Sequence, residues 1–219
     1  MIRVLVVDDQ TLVRTGFRTV LDLEDDIDVI GEAADGDEAL ARTRALRPDV
    51  VVMDIRMPRT NGIEATRQIT ADPGLAGVKV LILTTFEMDE YVFDALDAGA
   101  SGFLLKHASA DELINAVRTI ATGEALLSAH QVQRLVAAFA SRNRAAGAGP
   151  GVAALTDRER EAVRLVAAGS TNEQIAQRWV VSAGTVRTHL SRAMTKLHAR
   201  DRAQLVVIAY RTGLAEPPG

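Results

Sequence analysis

The sequence predicts an α/β fold, a doubly wound parallel sheet of five strands, followed by a second, smaller all-α domain of four helices. Three observations support this prediction: short apolar runs alternate with amphipathic stretches as far as residue 122, the alternation then stops, and the later patterns are helical. Strands that alternate with helices of this length form right-handed βαβ units, which build a parallel sheet. A chain of 219 residues has room for two such domains.

Hydrophobic periodicity places the elements of the first domain, residues 1–122. Strands are expected at 3–8, 27–33, 49–53, 79–84 and 101–105. Helices are expected near 11–23, 36–46, 62–71, 88–98 and 109–122. The strand segments are continuous apolar runs, which is typical of strands that are buried in the core.

A segment rich in Gly, Ala and Pro, NRAAGAGPG at 143–151, predicts a flexible linker between the two domains. We assign residues 123–152 to this connection, with a helix at 128–141 that Ser128 can cap. The second domain, residues 153–215, contains the four predicted helices. They are expected at about 157–168, 172–179, 183–198 and 201–212.

Helix-capping residues precede each of these four helices. Capping boxes, in which a hydroxyl and a Glu or Gln three residues later satisfy backbone N–H groups, precede the first two, and single caps precede the last two. These residues are Thr156 with Glu159, Thr171 with Gln174, Ser182 and Asp201. Gly169 and Gly213 are placed where glycine commonly closes a helix.

Charge is distributed unevenly along the chain, although the total is only −4. Residues 151–219 contain ten Lys and Arg and six Asp and Glu, a balance of +4, so residues 1–150 carry −8. An acidic first part and a basic second part suggest two functions, and a basic segment is suited to contact with nucleic acid.

Several classes of protein are excluded by what the sequence lacks. It contains no Cys, which excludes disulfides and thiolate metal sites. The first residues lack the pattern of a signal peptide, and no apolar run has the length of a membrane span. We therefore expect a soluble, cytoplasmic protein with no membrane partner.

Five polar residues stand at the ends of predicted strands, namely Asp8, Asp9, Asp54, Thr84 and Lys106. Because the carboxyl ends of parallel strands lie on one edge of a sheet, these residues should converge on one pocket. The three acids offer hard oxygen ligands that suit Mg²⁺. The hydroxyl and the ammonium can bind phosphate oxygens. The pattern predicts a metal-dependent phosphoryl acceptor in which Asp54 attacks phosphorus.

The motifs VVDD, DIRMP, ILTT and GASGFLLK make residues 1–122 resemble the receiver domain of two-component response regulators. The resemblance implies a flavodoxin-like sheet with strand order 2-1-3-4-5. It also implies that a sensor histidine kinase donates the phosphoryl group to Asp54, with Thr84 and Lys106 assisting.

The same resemblance implies roles for further residues of the pocket. Asp9, Asp54 and the backbone carbonyl of Arg56 would bind Mg²⁺ directly, and Asp8 would act through water. Phe103 matches the aromatic position that switches between conformations in this family.

The segment from LTDRERE to MTKL resembles the LuxR-type helix-turn-helix, and its combination with a receiver identifies the NarL/FixJ type of response regulator. The second helix of such a motif, here 183–198, enters the major groove. The resemblance implies contacts to bases or nearby phosphates, and phosphate contacts that set the position on DNA. The first set is Arg187, Thr188, Ser191 and Arg192, and the second is Thr171, Asn172, Thr185 and Lys196.

The predicted function is therefore a response regulator, not an enzyme, that binds double-stranded DNA to regulate transcription after phosphorylation on Asp54. A homodimer is expected when Asp54 is phosphorylated, and RNA polymerase is a further candidate partner. One alternative is a phosphatase with an aspartyl-phosphate intermediate, but that class typically needs an acid where Arg56 stands. Another alternative is a DNA-binding regulator that works without phosphorylation.

Overall fold

The computed structural model describes residues 1–84, 94–123 and 151–215. The chain divides into two compact units, Met1–Leu126 and Leu127–Gly219. The helix predicted at 128–141 and residues 143–150 of the predicted linker lie outside the described residues. None of the helices within the described ranges has the length and apolar character needed to cross a membrane.

The first unit is built on a five-stranded sheet in which every pairing is parallel, with the order β2-β1-β3-β4-β5. This order confirms the predicted sheet. The strands are β1 (Ile2–Val7), β2 (Ile27–Ala33), β3 (Val50–Asp54), β4 (Lys79–Thr84) and β5 (Gly102–Leu105).

Four helices of this unit lie wholly within the described residues. They are α1 (Thr11–Leu21), α2 (Gly36–Leu46), α3 (Gly62–Ala71) and α4 (Ala110–Ala121). Residues 94–97 are also helical, and the rest of the helix predicted near 88–98 lies outside the described residues.

No strand boundary differs from the prediction by more than one residue, and two of the differences concern the predicted pocket. The ladder of β1 ends where Val7 pairs with Ala33, so Asp8 lies beyond the strand instead of inside it. The ladder of β3 continues to Asp54, which pairs with Leu83. Backbone pairing with the neighbouring strand sets these ends, and hydrophobicity alone does not reveal it.

The core of the first unit explains why its strands are apolar throughout. Every residue of β3 is buried, and the inward-facing side chains of β1, β3 and β4 pack with those of α4 in one cluster. Val117 and Ile120 of α4 are 0% exposed. A sheet with helices on both faces leaves only its strand ends open, which places any polar site there.

Within residues 151–215, the second unit contains four α-helices, as predicted. They are α5 (Asp157–Ala167), α6 (Asn172–Trp179), α7 (Ala183–Leu197) and α8 (Arg202–Arg211). The predicted capping boxes at Thr156 and Thr171 are present, and Ser182 and Asp201 cap α7 and α8. Side-chain caps therefore fix where each helix begins.

The turn between α6 and α7 holds these two helices around a shared apolar core. Ile175 and Val186 are both 0% exposed and belong to the core cluster of this unit. Val180 ends α6 in the left-handed conformation with φ 57°, and its side chain is 89% exposed. The N–H of Val181 donates to the carbonyl of Ala176 at 3.0 Å. This arrangement directs α7 away from α6, as a helix-turn-helix requires.

Candidate phosphoacceptor pocket and nucleic-acid interface

Asp54 is the last residue of β3 and is buried at the carboxyl edge of the sheet. The chain turns back tightly after it, since the N–H of Gly62 donates to the carbonyl of Ile55 at 2.9 Å. A Cβ atom at Gly62 would lie 1.9 Å from the carbonyl oxygen of Asp54. Only glycine is compatible with this approach, so Gly62 helps to set where Asp54 lies.

Asp8 and Asp9 lie at different depths, although they are adjacent in sequence. Asp8 is 1% exposed, and Asp9 is exposed. Oδ1 of Asp8 accepts a hydrogen bond from the N–H of Gln10 at 2.9 Å, and the N–H of Asp8 donates to the carbonyl of Ala33 at 3.2 Å. Asp8 is therefore fixed in the interior, while Asp9 faces the open side of the pocket.

Lys106 connects the two buried acids. Its Nζ lies 2.6 Å from Oδ2 of Asp8 and 3.0 Å from Oδ2 of Asp54. Its N–H donates to the carbonyl of Thr84 at 2.8 Å, which anchors Lys106 beside the end of β4. Burial acts to lower the pKa of Lys106, but the hydrogen bonds to Asp8 and Asp54 outweigh burial, and the pKa is raised. The side chain therefore stays cationic at neutral pH.

The pKa of Asp54 is raised above its ordinary value, and burial is the main cause. The neighbouring charge of Asp8 adds to this effect. Hydrogen bonds from Lys106 and from the backbone N–H of Arg56 oppose it without cancelling it. A carboxylate that is poorly solvated in this way is more reactive as a nucleophile than one in water.

The three acids form a cluster that can hold a metal ion. Carboxylate oxygens of Asp8, Asp9 and Asp54 lie within 4.8 Å of one another. A cleft of about 360 Å³ opens above them, lined by Asp9, Gln10, Asp54, Arg56 and Lys106. Three of the five predicted strand-end residues, Asp9, Asp54 and Lys106, thus line one cleft, and Asp8 belongs to the same acid cluster.

Thr84 and Phe103 lie on the two strands next to this pocket. Thr84 is the last residue of β4 and is 4% exposed. It pairs with Leu105 across the ladder, where Ile82 likewise pairs with Phe103. Phe103 is partly buried. These two predicted residues are therefore linked by one β-ladder.

Two further contacts of the pocket region were not apparent from the sequence. The Nη1 of Arg14, on α1, donates to the carbonyl of Asp8 at 2.6 Å. Arg59 forms an ion pair with the buried Asp35, which caps α2. Arg59 has φ 61°, which is unusual for a residue other than glycine. In the sequence, the only signs of these contacts were the positions of the two arginines: Arg14 comes six residues after Asp8, and Arg59 directly follows Pro58.

The predicted recognition helix corresponds to α7, and its two faces differ in polarity. One face is buried against the unit's core, and the other is exposed. The buried residues are Val186, Leu190, Ala193 and Leu197, and the exposed ones include Arg187, Thr188, Ser191 and Arg192. The four predicted base-reading residues therefore share one accessible surface.

The predicted phosphate-binding residues have different surroundings. The hydroxyls of Thr171 and Ser182 cap α6 and α7, and Thr185 Oγ1 lies 3.0 Å from Ser182 Oγ. Asn172 Oδ1 accepts a hydrogen bond from Arg202 at 2.8 Å.

Lys196 lies at the far end of α7 and is engaged by a buried acid. Its Nζ lies 2.6 Å from Oε2 of Glu159, and Glu159 is 2% exposed. The side chain of Lys196 remains one-third exposed. Lys196 therefore joins α7 to α5 while part of it still faces solvent.

Comparison with known proteins accounts for both units. Residues 4–118 match the response regulator receiver domain, and residues 153–209 match the luxR family of bacterial regulatory proteins. The chain belongs to the response regulators that join these two domains. The predicted family and the predicted role as a two-component, DNA-binding transcription regulator are thereby confirmed.

Relatives of this response regulator match it from end to end. The uncharacterized transcriptional regulatory protein YxjL of Bacillus subtilis is 41% identical and covers 98% of both chains. The response regulator VraR of Staphylococcus aureus is 39% identical, over 98% of this chain and 99% of its own.

Solved structures show the same likeness. Response regulator ChrA of a heme-sensing two-component system is 36% identical over 97% of this chain and 98% of its own, with a TM-score of 0.52. The receiver domain of NarL from Mycobacterium tuberculosis is 36% identical, with a TM-score of 0.54, over 56% of this chain and 98% of its own.

Proposed function

We propose that Asp54 accepts a phosphoryl group from a sensor histidine kinase, and that its phosphorylation controls DNA binding and transcription. The observation that carries this proposal is the contact of Lys106 Nζ with the carboxylates of both Asp8 and Asp54. A buried acid beside a second acid and a fixed ammonium is the arrangement that phosphoryl transfer to a carboxylate needs.

Mg²⁺ is the proposed cofactor, because the donors in the pocket are all hard oxygens. Asp9, Asp54 and the backbone carbonyl of Arg56 are the proposed direct ligands, with Asp8 acting through water. The mutual approach of the three carboxylates within 4.8 Å supports this assignment. When bound, the ion offsets the negative charge of the carboxylates and of the phosphoryl group.

The chain's own residues would then carry the transfer. A carboxylate oxygen of Asp54 attacks phosphorus, the bond from phosphorus to the donor nitrogen breaks, and its electron pair leaves with that nitrogen. Lys106 neutralises charge on the phosphoryl oxygens, and the raised pKa of Lys106 keeps it protonated for this task. Thr84 donates a hydrogen bond from the end of β4.

We propose that α7 reads DNA in the major groove. Arg187, Thr188, Ser191 and Arg192 would reach base edges or adjacent phosphates from the exposed face. Thr171, Asn172, Thr185 and Lys196 would hold the backbone. The basic balance of the second domain supports this binding through phosphate attraction.

The two activities are proposed to be coupled through pairing of receivers. Phosphorylation at Asp54 would shift Thr84 and Phe103, which the β4–β5 ladder links, and a reshaped surface would pair with a second copy. A homodimer places two α7 helices on two half-sites, so the second module adds affinity. RNA polymerase is the proposed partner of the DNA-bound dimer.

The first test is phosphorylation of the full chain by a small phosphodonor with Mg²⁺, followed by intact mass. The proposal predicts one added phosphoryl group in the wild type and none in Asp54→Asn. Asp111→Asn is the matched control, because Asp111 is an exposed carboxylate on α4. Unchanged labelling of Asp54→Asn contradicts the assignment.

The second test measures DNA affinity with and without phosphorylation, together with mass by light scattering. If Arg187 or Arg192 contacts a base, its replacement by alanine should cost about 1–3 kcal/mol of DNA-binding free energy. If it contacts a phosphate, the replacement should lower the slope of DNA affinity against salt concentration by about one. A chain that binds DNA equally well in both states would support the alternative of a phosphorylation-independent regulator.

A further inference from the structure

Arg14 links the first turns of α1 to the acidic pocket through the backbone of Asp8. Its Nη1 donates to the carbonyl of Asp8 at 2.6 Å, its Nη2 donates to the hydroxyl of Thr11 at 3.2 Å, and its Nε donates to Oε2 of Glu32 at 3.3 Å. The side chain is 13% exposed. The guanidinium therefore makes three polar contacts in a largely buried position.

These contacts matter because of where Asp8 and Asp9 lie. The N–H of Asp8 is held by Ala33 on β2, and its side chain is held by Gln10 and Lys106. The carbonyl of Asp8 belongs to the peptide that leads to Asp9. A donor fixed on that carbonyl sets the orientation of this peptide, and so the direction in which Asp9 leaves the strand.

We infer that Arg14 is a positioning residue that orients the Asp8–Asp9 turn for Mg²⁺ binding. The inference rests on the proposed function of this pocket. Among the residues that the structure describes, the hydrogen bonds of Arg14 go to the Asp8 carbonyl, Thr11 and Glu32 and not to the carboxylate of Asp8, so its effect is exerted through the backbone. Glu32 on β2 keeps the guanidinium in place, in the manner of outer partners that orient metal ligands.

Arg18 provides a matched control one helical turn further along α1. It also pairs with Glu32, with Nη1 at 3.2 Å from Oε1, and it is bound by Asp22 as well. Its third contact is the carbonyl of Val29, away from the acids. Arg18→Ala thus also removes one guanidinium partner of Glu32, but it leaves the hydrogen bond from Arg14 to the Asp8 carbonyl in place.

The experiment titrates Mg²⁺ alone into the full-length wild type, Arg14→Ala and Arg18→Ala, using calorimetry, with thermal unfolding of each variant as the folding control. We expect Arg14→Ala to weaken Mg²⁺ binding about 10- to 100-fold, and Arg18→Ala to bind like the wild type. At saturating Mg²⁺, phosphorylation of Arg14→Ala by a small phosphodonor should recover a rate near that of the wild type.

Arg14→Lys covers the case in which Arg14→Ala does not fold. An ammonium lacks the planar fork of guanidinium, so it cannot serve Glu32 and the Asp8 carbonyl in the same geometry, and we expect an intermediate affinity. Wild-type affinity in Arg14→Ala or Arg14→Lys overturns the inference, as does an equal loss in Arg18→Ala. A wild type that binds no Mg²⁺ overturns the proposed function as well.

Discussion

The ammonium nitrogen of Lys106 lies 3.0 Å from Oδ2 of Asp54. This contact crosses from the end of β5 to the end of β3, and the side chain of Lys106 is only 11% exposed. The same nitrogen is shared with Asp8. One cation therefore faces two buried carboxylates. Removing one of these charges should change the free energy of unfolding.

Asp54→Asn should raise the free energy of unfolding at neutral pH in the absence of Mg²⁺. The pKa of Asp54 is raised, so the folded state binds its proton more tightly than the unfolded chain does. Stability is therefore lost as pH rises from 3.8, the ordinary value, through the raised pKa. The neutral amide avoids this loss.

Urea denaturation of the wild type and Asp54→Asn from acidic to neutral pH measures this effect. The difference between the two should grow with pH and shrink when Mg²⁺ is added. If the wild type gains stability over the variant as pH rises, the attraction of Lys106 exceeds the cost of burial.

Gly62→Ala should destabilise the fold and distort the pocket. The added Cβ would meet the carbonyl oxygen of Asp54, a backbone atom that cannot move without moving β3. We expect a loss of about 1–3 kcal/mol in unfolding free energy, together with slower phosphorylation. Gly16→Ala is the matched control, because nothing lies within 4 Å of its added Cβ on α1.

In that control, the alanine should stabilise α1 by about 0.5–1 kcal/mol, since glycine is a poor helix former. Urea denaturation of both variants decides the matter. If Gly62→Ala and Gly16→Ala change the free energy of unfolding equally, the turn after Asp54 can accommodate a side chain.

Lys196→Met should destabilise the second unit by about 1–3 kcal/mol, because it leaves the carboxylate of Glu159 buried without its cation. Burial acts to raise the pKa of Glu159, but the hydrogen bonds from Lys196 and Thr156 outweigh it, and the pKa is lowered. That stabilisation exists above pH 4.5, the ordinary value, and is lost as pH falls through the lowered pKa.

Denaturation of Lys196→Met and of Arg192→Ala gives the comparison, because Arg192 is an exposed cation on the same helix. Its removal should change stability by less than about 0.5 kcal/mol. DNA binding separates the two roles of Lys196. A salt slope lower by about one supports a phosphate contact, and an unchanged slope assigns Lys196 to the ion pair alone.

Val180→Gly should stabilise the helix-turn-helix. A β-branched residue in the left-handed region costs about 1–2 kcal/mol, and Val180 combines φ 57° with 89% exposure. Its exposed side chain has little packing to lose. We expect about 1 kcal/mol of added stability by denaturation. If Val180→Gly is less stable than the wild type, the Val180 side chain makes stabilising contacts that outweigh the cost of its left-handed backbone.

The fold was largely predictable because its signals are local. The bounds of β2 and β4 agree with the predicted ranges, since each is an unbroken apolar run between polar turns. Thr156, Thr171 and Ser182 cap the helices that they were predicted to cap. Such residues act on backbone groups within three positions, so sequence spacing contains the information.

The supporting contacts of the sites were not predictable in the same way. Arg202 reaches Asn172 over 30 positions, and Lys196 reaches Glu159 over 37. These pairs exist because packed helices bring distant side chains together, and no local pattern encodes the crossing of two helices. The acids of the pocket could be predicted because the carboxyl ends of parallel strands always lie at the same edge of the sheet.

The N-terminus of α1 differs from those of the other helices. Among the α-helices whose starts lie in the described ranges, α1 is the one whose N-cap residue, here Gln10, makes no side-chain capping bond. Its first turn contains no acidic residue, and the positive end of its helix dipole directly follows Asp8 and Asp9. A helix end of this kind stabilises a nearby anion by about 0.3–1 kcal/mol. The backbone of α1 thus contributes to stabilising the negative charge of the acids that precede it.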